Sequence, residues 1–213
     1  DGTLDISFGI GGIALIDIDN GSGDSFTDFE FLSDGSIIVA GRVSLGKYAN
    51  ATLTKLTKDG VIDSSFAVNG RYLSEEGVFT THFTSVAINE HDEIFLSGYF
   101  VGENSDEVAT LSKINSKTGM PDNFFASGNG KAKYNYTQAN DDERFNIVRL
   151  LNNGKILVCG YYKKDKETQS MPFIALYESD GTMNSGFGTD GLYFIPLPQD
   201  YSFTSFYNIS TQS

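Results

Sequence analysis

The 213-residue chain has no tryptophan, one cysteine, four prolines and two histidines. A single thiol, Cys159, excludes an intramolecular disulfide. It closes the apolar run Ile156-Leu157-Val158-Cys159, which reads as part of a buried strand. His82 and His91 lie in another part of the chain, so no Cys–His nucleophile pair is expected. Basic residues are also scarce, with 15 Lys and Arg against 28 Asp and Glu, a formal net charge of −13. That shortage excludes a charge-driven nucleic-acid binder and disfavours docking on anionic membranes. No apolar run approaches the roughly 18 residues of a membrane-spanning helix, so no membrane insertion is expected. There is no phosphate-binding loop, dinucleotide fingerprint, nucleophile elbow or zinc-like Cys/His cluster. The chain opens at Asp1 without Met or a leader pattern, the expected look of a mature product or an excised fragment.

What is present is repetition. Asp1-Gly2-Thr3-Leu4-Asp5-Ile6-Ser7-Phe8-Gly9 returns as Asp59-Gly60-Val61-Ile62-Asp63-Ser64-Ser65-Phe66. It returns as Thr118-Gly119-Met120-Pro121-Asp122-Asn123-Phe124-Phe125, and again as Asp180-Gly181-Thr182-Met183-Asn184-Ser185-Gly186-Phe187-Gly188. The opening glycines stand at 2, 60, 119 and 181, so the spacings are 58, 59 and 62 residues. Each is followed six positions later by a phenylalanine: Phe8, Phe66, Phe125 and Phe187. A hairpin marker keeps the same period: Ser36-Ile37-Ile38-Val39-Ala40-Gly41, Glu93-Ile94-Phe95-Leu96-Ser97-Gly98 and Lys155-Ile156-Leu157-Val158-Cys159-Gly160. A third marker closes each unit, at 51–56, 109–114 and 173–177. One repeat domain results, divided as 1–58, 59–117, 118–179 and a partial unit 180–213.

Each unit reads as four short strands rich in Val, Ile, Phe, Tyr and Thr, bounded by Gly, Asp, Asn and Ser. In the first unit they are placed at about 12–18, 26–32, 36–43 and 50–57. Asp34-Gly35 and Asn153-Gly154 are hairpin turn pairs. The third strand is apolar at successive positions, as when both faces are covered. The fourth alternates Ala51 and Leu53 with Thr52 and Thr54, the pattern of an outer strand with one wet face. The predicted fold is all-β: a β-propeller or open propeller arc of about three and a half four-stranded antiparallel blades. A half-built blade exposes a strand edge. The chain is therefore expected to be a piece of a longer array, or to have that edge covered by another chain.

These motifs resemble the bacterial delta-60 repeat family, whose pattern is D-G-x-[LI]-D-x-S-F-G-x-x-G followed by a D-G-[KS]-[IL]-[IV]-V-[AC]-G hairpin. Here those residues stand at 1–12 and 34–41, with looser copies along the rest of the chain. The second unit departs from the pattern at His91-Asp92-Glu93, where the hairpin glycine is missing. Pro121 and Phe124 depart from it in the third connector, so a different turn is expected at both places. The resemblance implies a propeller-like fold and a bacterial protein that is extracellular or on the cell surface. It implies no reaction.

The recurring phenylalanines read as blade-to-blade wedges, because a ligand-stacking ring has no need to recur in every unit. The loops between the third and fourth strands (44–50, 101–107, 163–170) differ completely between units and are bordered by Tyr48, Tyr99, Phe100, Tyr161 and Tyr162. Exposed aromatics there suit a protein or glycan on a cell surface, so these five are the candidate ligand-binding residues. Asp17, Asp19, Asp24, Asp141 and Asp142 fall in acidic loops before the second strand and are candidate Ca²⁺ ligands. Gly21 occupies the third ligand position of an EF-hand-like spacing, so that loop pattern is not met. No carboxylate is marked by its sequence setting as a raised-pKa acid. The expected role is a non-catalytic binding or adhesion module, with a structural spacer and a propeller glycosidase or lyase as alternatives.

Overall fold

The computed structural model describes residues 2–18, 23–74, 80–102, 105–134, 141–164, 167, 169–198, 206 and 209–210. Its strands are β1 (Ser25–Phe31), β2 (Ile37–Leu45), β3 (Tyr48–Leu56), β4 (Arg71–Leu73), β5 (Thr81–Ile88) and β6 (Ile94–Val101). They continue as β7 (Glu107–Ile114), β8 (Lys131–Tyr134), β9 (Asp142–Leu150), β10 (Ile156–Lys163), β11 (Met171–Tyr177) and β12 (Leu192–Phe194). Every pairing within a blade is antiparallel: β1-β2-β3-β4, then β5-β6-β7-β8, then β9-β10-β11-β12. One parallel bridge, Glu107 to Asp142, links the second blade to the third. The all-β expectation holds, with three complete blades in an open arc among the described residues.

Each blade has a leading face toward the preceding blade and a trailing face toward the next. Two hydrophobic layers fill the spaces between blades. The first sets Ile38, Ala40 and Leu53 on the trailing face of blade 1 against Phe83, Val86 and Leu96 on the leading face of blade 2. The second sets Phe95, Ala109 and Leu111 against Phe145, Val148 and Phe173. The apolar character of β2, β6 and β10 follows from this sandwiching. In β6, Ile94 through Tyr99 are all buried.

The blades are out of phase with the sequence repeats by one strand. Leu73 pairs with Thr52, Tyr134 with Ala109 and Phe194 with Phe173, so the first strand of each repeat joins the preceding repeat's sheet. This corrects two expectations. Residues 14–17 form no ladder, so the strand expected at about 12–18 is absent. β3 is not the outer strand, since β4 from the next repeat pairs beside it, and Thr52 and Thr54 are fully buried on the leading face of the blade.

The connectors explain the repeated motif residue by residue. The side chain of Asp5 or Asp63 accepts both the backbone N–H and the hydroxyl of the serine two positions on, at 2.6–3.1 Å, which closes an Asx turn. The residue after each wedge phenylalanine then donates to the next repeat: Gly9 to the Asp59 carbonyl, Ala67 to Thr118 and Ala126 to Asp180, at 2.7–3.0 Å. Phe66 and Phe125 are buried between blades, as expected of wedges. A Cβ on Gly60 would stand 2.8 Å from the Phe8 ring, and one on Gly181 would stand 2.7 Å from the Phe125 ring. The opening glycine is thus fixed twice, by a left-handed backbone and by the ring against it.

The two divergent turns keep the common geometry. Asp92 adopts φ +59°, beside +83° for Gly35 and +79° for Gly154, and its N–H bonds to Asn89 as theirs do to Leu32 and Leu151. Asp92 also accepts from the Ser33 N–H at 2.7 Å and the Ser33 hydroxyl at 2.5 Å, clamping neighbouring hairpin tips. That bond offsets the strain of a non-glycine residue there. In the third connector Asp122 accepts from the Phe124 N–H at 3.0 Å, as in the other Asx turns, while the Phe124 ring projects into solvent.

Candidate functional site

The aromatic candidates sit where β1, β5 and β9 begin. Gly41, Gly98 and Gly160 stand opposite β-bulges, and a Cβ on any of them would collide with the carbonyl of Ser25, His82 or Arg144. The next residue is Arg42, Tyr99 or Tyr161, paired across the ladder with Ser25, His82 or Arg144. All of these side chains point to the trailing face. Phe100 and Tyr162, one position further, point to the leading face. The five aromatic candidates therefore divide between two faces.

Tyr99 and Tyr161 are brought together by Arg144. Its guanidinium pairs through Nε and a terminal nitrogen with both carboxylate oxygens of Glu107 on the neighbouring blade. The same guanidinium lies 4.1 Å from the Tyr99 ring centroid and 5.7 Å from that of Tyr161. His82 stacks on Tyr99 with centroids 4.6 Å apart and planes 16° from parallel. Burial, with the charges of Arg42 and Arg144, lowers the His82 pKa to about 4, so this imidazole is neutral at pH 7. Burial works against charge on Arg144, but its bond to Glu107 holds the guanidinium protonated. Burial and the nearby Glu107 raise the Asp142 pKa, although the Glu107 N–H donates to it at 3.3 Å. The result is a cation–aromatic staple between blades 2 and 3 that satisfies its own charges. Tyr99 is buried within it, and Tyr161 keeps part of its ring at the surface. Sequence reading did not single out His82, Glu107 or Arg144. The signal was their place beside the repeated bulge.

The other candidates are dispersed. Tyr162 is buried on the opposite face and donates to Asp141 at 3.0 Å. Tyr48 is half-buried, with Lys47 Nζ 5.4 Å from its ring, and Lys133 Nζ lies 4.7 Å from the Phe100 ring. Of the calcium candidates, Asp24 accepts the Ile18 N–H at 2.9 Å, and the Asp17 carbonyl accepts from Arg71 at 2.7 Å. Asp141 and Asp142 are two blades away, and Asp19 lies outside the described residues. Among the described residues no group of three His, Cys, Asp or Glu converges to hold a metal ion. Cys159 is buried, and burial pushes its thiol up to about 12, which leaves it inert as a nucleophile at neutral pH.

The larger cavities lie elsewhere. A groove of about 860 Å³ runs along the outer strand β8, lined by Tyr72, Ser112, Asn129, Lys131, Lys133 and Thr182 among others. It carries hydroxyl, amide and ammonium donors and no carboxylate among its described lining. A second hollow, of about 580 Å³, opens between the hairpin tips of blades 2 and 3, beside Phe95 and Leu150. There Gly154 takes the position at which Asp92 clamps blades 1 and 2.

Three four-stranded antiparallel sheets packed face to face define a β-propeller-type repeat protein. Residues 32–66 and 151–187 match a family model described as a domain of unknown function (DUF5122), β-propeller. Both segments run from the start of the hairpin turn to the wedge phenylalanine, so they are one structural unit matched twice. The corresponding stretch of the second repeat is the one in which Asp92, Pro121 and Phe124 depart from the pattern. Comparison with curated proteins gave no match.

Proposed function

We propose that this chain is a non-catalytic binding module, exported from a bacterium, that presents a rigid propeller arc to a protein or glycan at a cell surface. The observation that carries the reading is the 860 Å³ groove along β8. In a chain of net charge −13, its described lining brings together Ser112, Ser127, Asn129, Thr182, Lys131 and Lys133 and no carboxylate, a lining suited to a hydroxyl- or carboxylate-bearing ligand. A glycosidase would place two carboxylates across such a groove, roughly 5–9 Å apart. Calcium has no part in this reading, since among the described residues no three candidate ligands converge. The test is a glycan and cell-surface binding array with the purified chain, run with and without Ca²⁺. Saturable binding lost in Lys133→Ala supports recognition in the groove, and loss in Tyr161→Ala moves it to the strand-end staple. No binding across the array would overturn the reading in favour of a structural spacer.

A further inference from the structure

Blades 2 and 3 part company at one place on their leading faces. Register makes Thr110 equivalent to Phe173 and Ser112 to Ala175. On the outer strands it makes Lys131 equivalent to Leu192 and Lys133 to Phe194. In blade 3 these four residues close the outer part of the seam. Phe173 packs on Tyr134 of blade 2 and on Phe194, each at 5.8 Å, and Ala175 and Leu192 belong to the same apolar layer. In blade 2 all four are polar or cationic. There the 860 Å³ groove opens instead, lined by Tyr72 from blade 1 together with Ser112, Lys131 and Lys133.

The connector beside the groove departs from the repeat as well. Four positions separate the wedge phenylalanine from the glycine before the outer strand in Phe8 to Gly12, Phe66 to Gly70 and Phe187 to Gly191. Five separate Phe125 from Gly130. The longer copy passes through Ser127 at φ +64°, a left-handed conformation that costs a serine energy, and it brings Ser127 and Asn129 to the groove.

Ser112 supplies the third observation. It is 2% exposed and lines the groove, and its hydroxyl has no hydrogen-bond partner among the described residues. A buried hydroxyl left unpaired destabilises a fold, and Ala175 shows that the blade closes without one. Blade 1 shows what a cation at the Lys131 place does when it is occupied. Arg71, paired with Thr54 as Lys131 is with Ser112, donates to the Asp17 carbonyl at 2.7 Å.

We infer that the groove is a site for an acidic saccharide, in which Lys131, Lys133 and Ser112 seat a uronate carboxylate. The inference rests on the binding-module reading and adds the charge and class of the ligand. Lys131 and Lys133 alternate onto one face of β8, the face that Ser112 shares, so three donors serve one anionic acceptor. Ser127, Asn129 and Thr182 meet ring hydroxyls. The Thr182 hydroxyl donates to Asp180 at 2.7 Å, which leaves its oxygen as an acceptor. These three stand on connectors and not along the edge of β8. They suit hydroxyls spread over a sugar ring better than the regular backbone of an added strand.

The test is a ¹H–¹⁵N NMR titration of the whole chain with trigalacturonate, with the neutral trigalactose of the same linkage and with a tetraglutamate peptide. Trigalacturonate should shift the amides of Gly130, Lys131, Ala132 and Thr182, and should bind more weakly as salt is raised. Its affinity should fall at least about tenfold in Ser112→Ala and in Lys131→Leu. Each substitution installs the blade 3 residue, so Tm should not fall. Equal affinity for the neutral trisaccharide, or affinity for the acid unchanged in either variant, overturns the inference and leaves the binding-module reading standing. Tighter binding of tetraglutamate also overturns it, in favour of an acidic peptide. Groove amides that respond to none of the three overturn it as well, and the array then decides the binding-module reading separately.

Discussion

Replacing Gly181 with Ala tests whether the opening glycine is fixed by the ring against it. Two penalties are expected. The residue sits at φ +85°, where an L side chain costs about 1 kcal/mol. The new Cβ would also stand 2.7–2.9 Å from three atoms of the Phe125 ring. That ring is 1% exposed and packed within the layer between blades 2 and 3, so it yields only by disturbing its neighbours. Overpacking of this kind costs about 1–3 kcal/mol, for a total of about 2–4 kcal/mol. Gly154→Ala is the control: its φ is +79°, with nothing within 4 Å of its Cβ, so only the backbone penalty applies. Phe125→Ala alone should cost about 3–5 kcal/mol. The double variant Phe125→Ala/Gly181→Ala should cost less than the sum by about 1–3 kcal/mol, because the clash disappears with the ring. Urea unfolding followed by circular dichroism measures all four. If Gly181→Ala costs no more than Gly154→Ala, or if the double variant is additive, the ring does not set the glycine.

Two further outcomes concern the staple. His82 binds its proton with a pKa of about 4 in the fold against an ordinary 6.5, so the folded state holds fewer protons between those values. Stability should fall as pH drops from about 6.5 toward 4. Urea midpoints at pH 7.5, 6 and 5 should show the decline, and His82→Gln should flatten it. Asp63 and Asp122 are held below 3.8 by bonds from Ser65 and Phe124 respectively, so their contributions are lost only at lower pH. Glu107→Gln should cost about 1–3 kcal/mol in the same assay, since it leaves the Arg144 guanidinium, two-thirds buried, without its counter-charge. A midpoint unchanged by that substitution would show that the pair contributes nothing to the junction.

Much of the architecture was legible because it is written three times. A wedge phenylalanine, a left-handed glycine and an Asx-turn aspartate recur at a fixed offset, and each recurrence is a local geometric need. What sequence reading missed depends on which blade touches which. Thr52 and Thr54 alternate with apolar residues as though they belonged to an outer strand with one wet face, yet the outer strand comes from the next repeat and both residues are fully buried. Asp92 replaces a turn glycine, and the bond to Ser33 that compensates it lies 59 residues away in the chain. Tyr99 and Tyr162 carry the composition of a binding surface, but alternation sends neighbours such as Tyr161 and Tyr162 to opposite faces. Arg144 and Glu107 meet only across a junction, so neither residue stands out in its own repeat.

The one-strand offset has a consequence for how such a chain can change length. Duplicating or deleting one sequence repeat moves one outer strand together with three strands of the neighbouring sheet. Every remaining sheet still contains four strands, and every seam still joins the same two kinds of surface. A breakpoint anywhere within the repeat gives the same product, provided both breaks fall at equivalent positions. Recombination between repeats can therefore lengthen or shorten the arc without creating an interface the chain does not already contain. Blade number is free to drift under selection for reach or curvature.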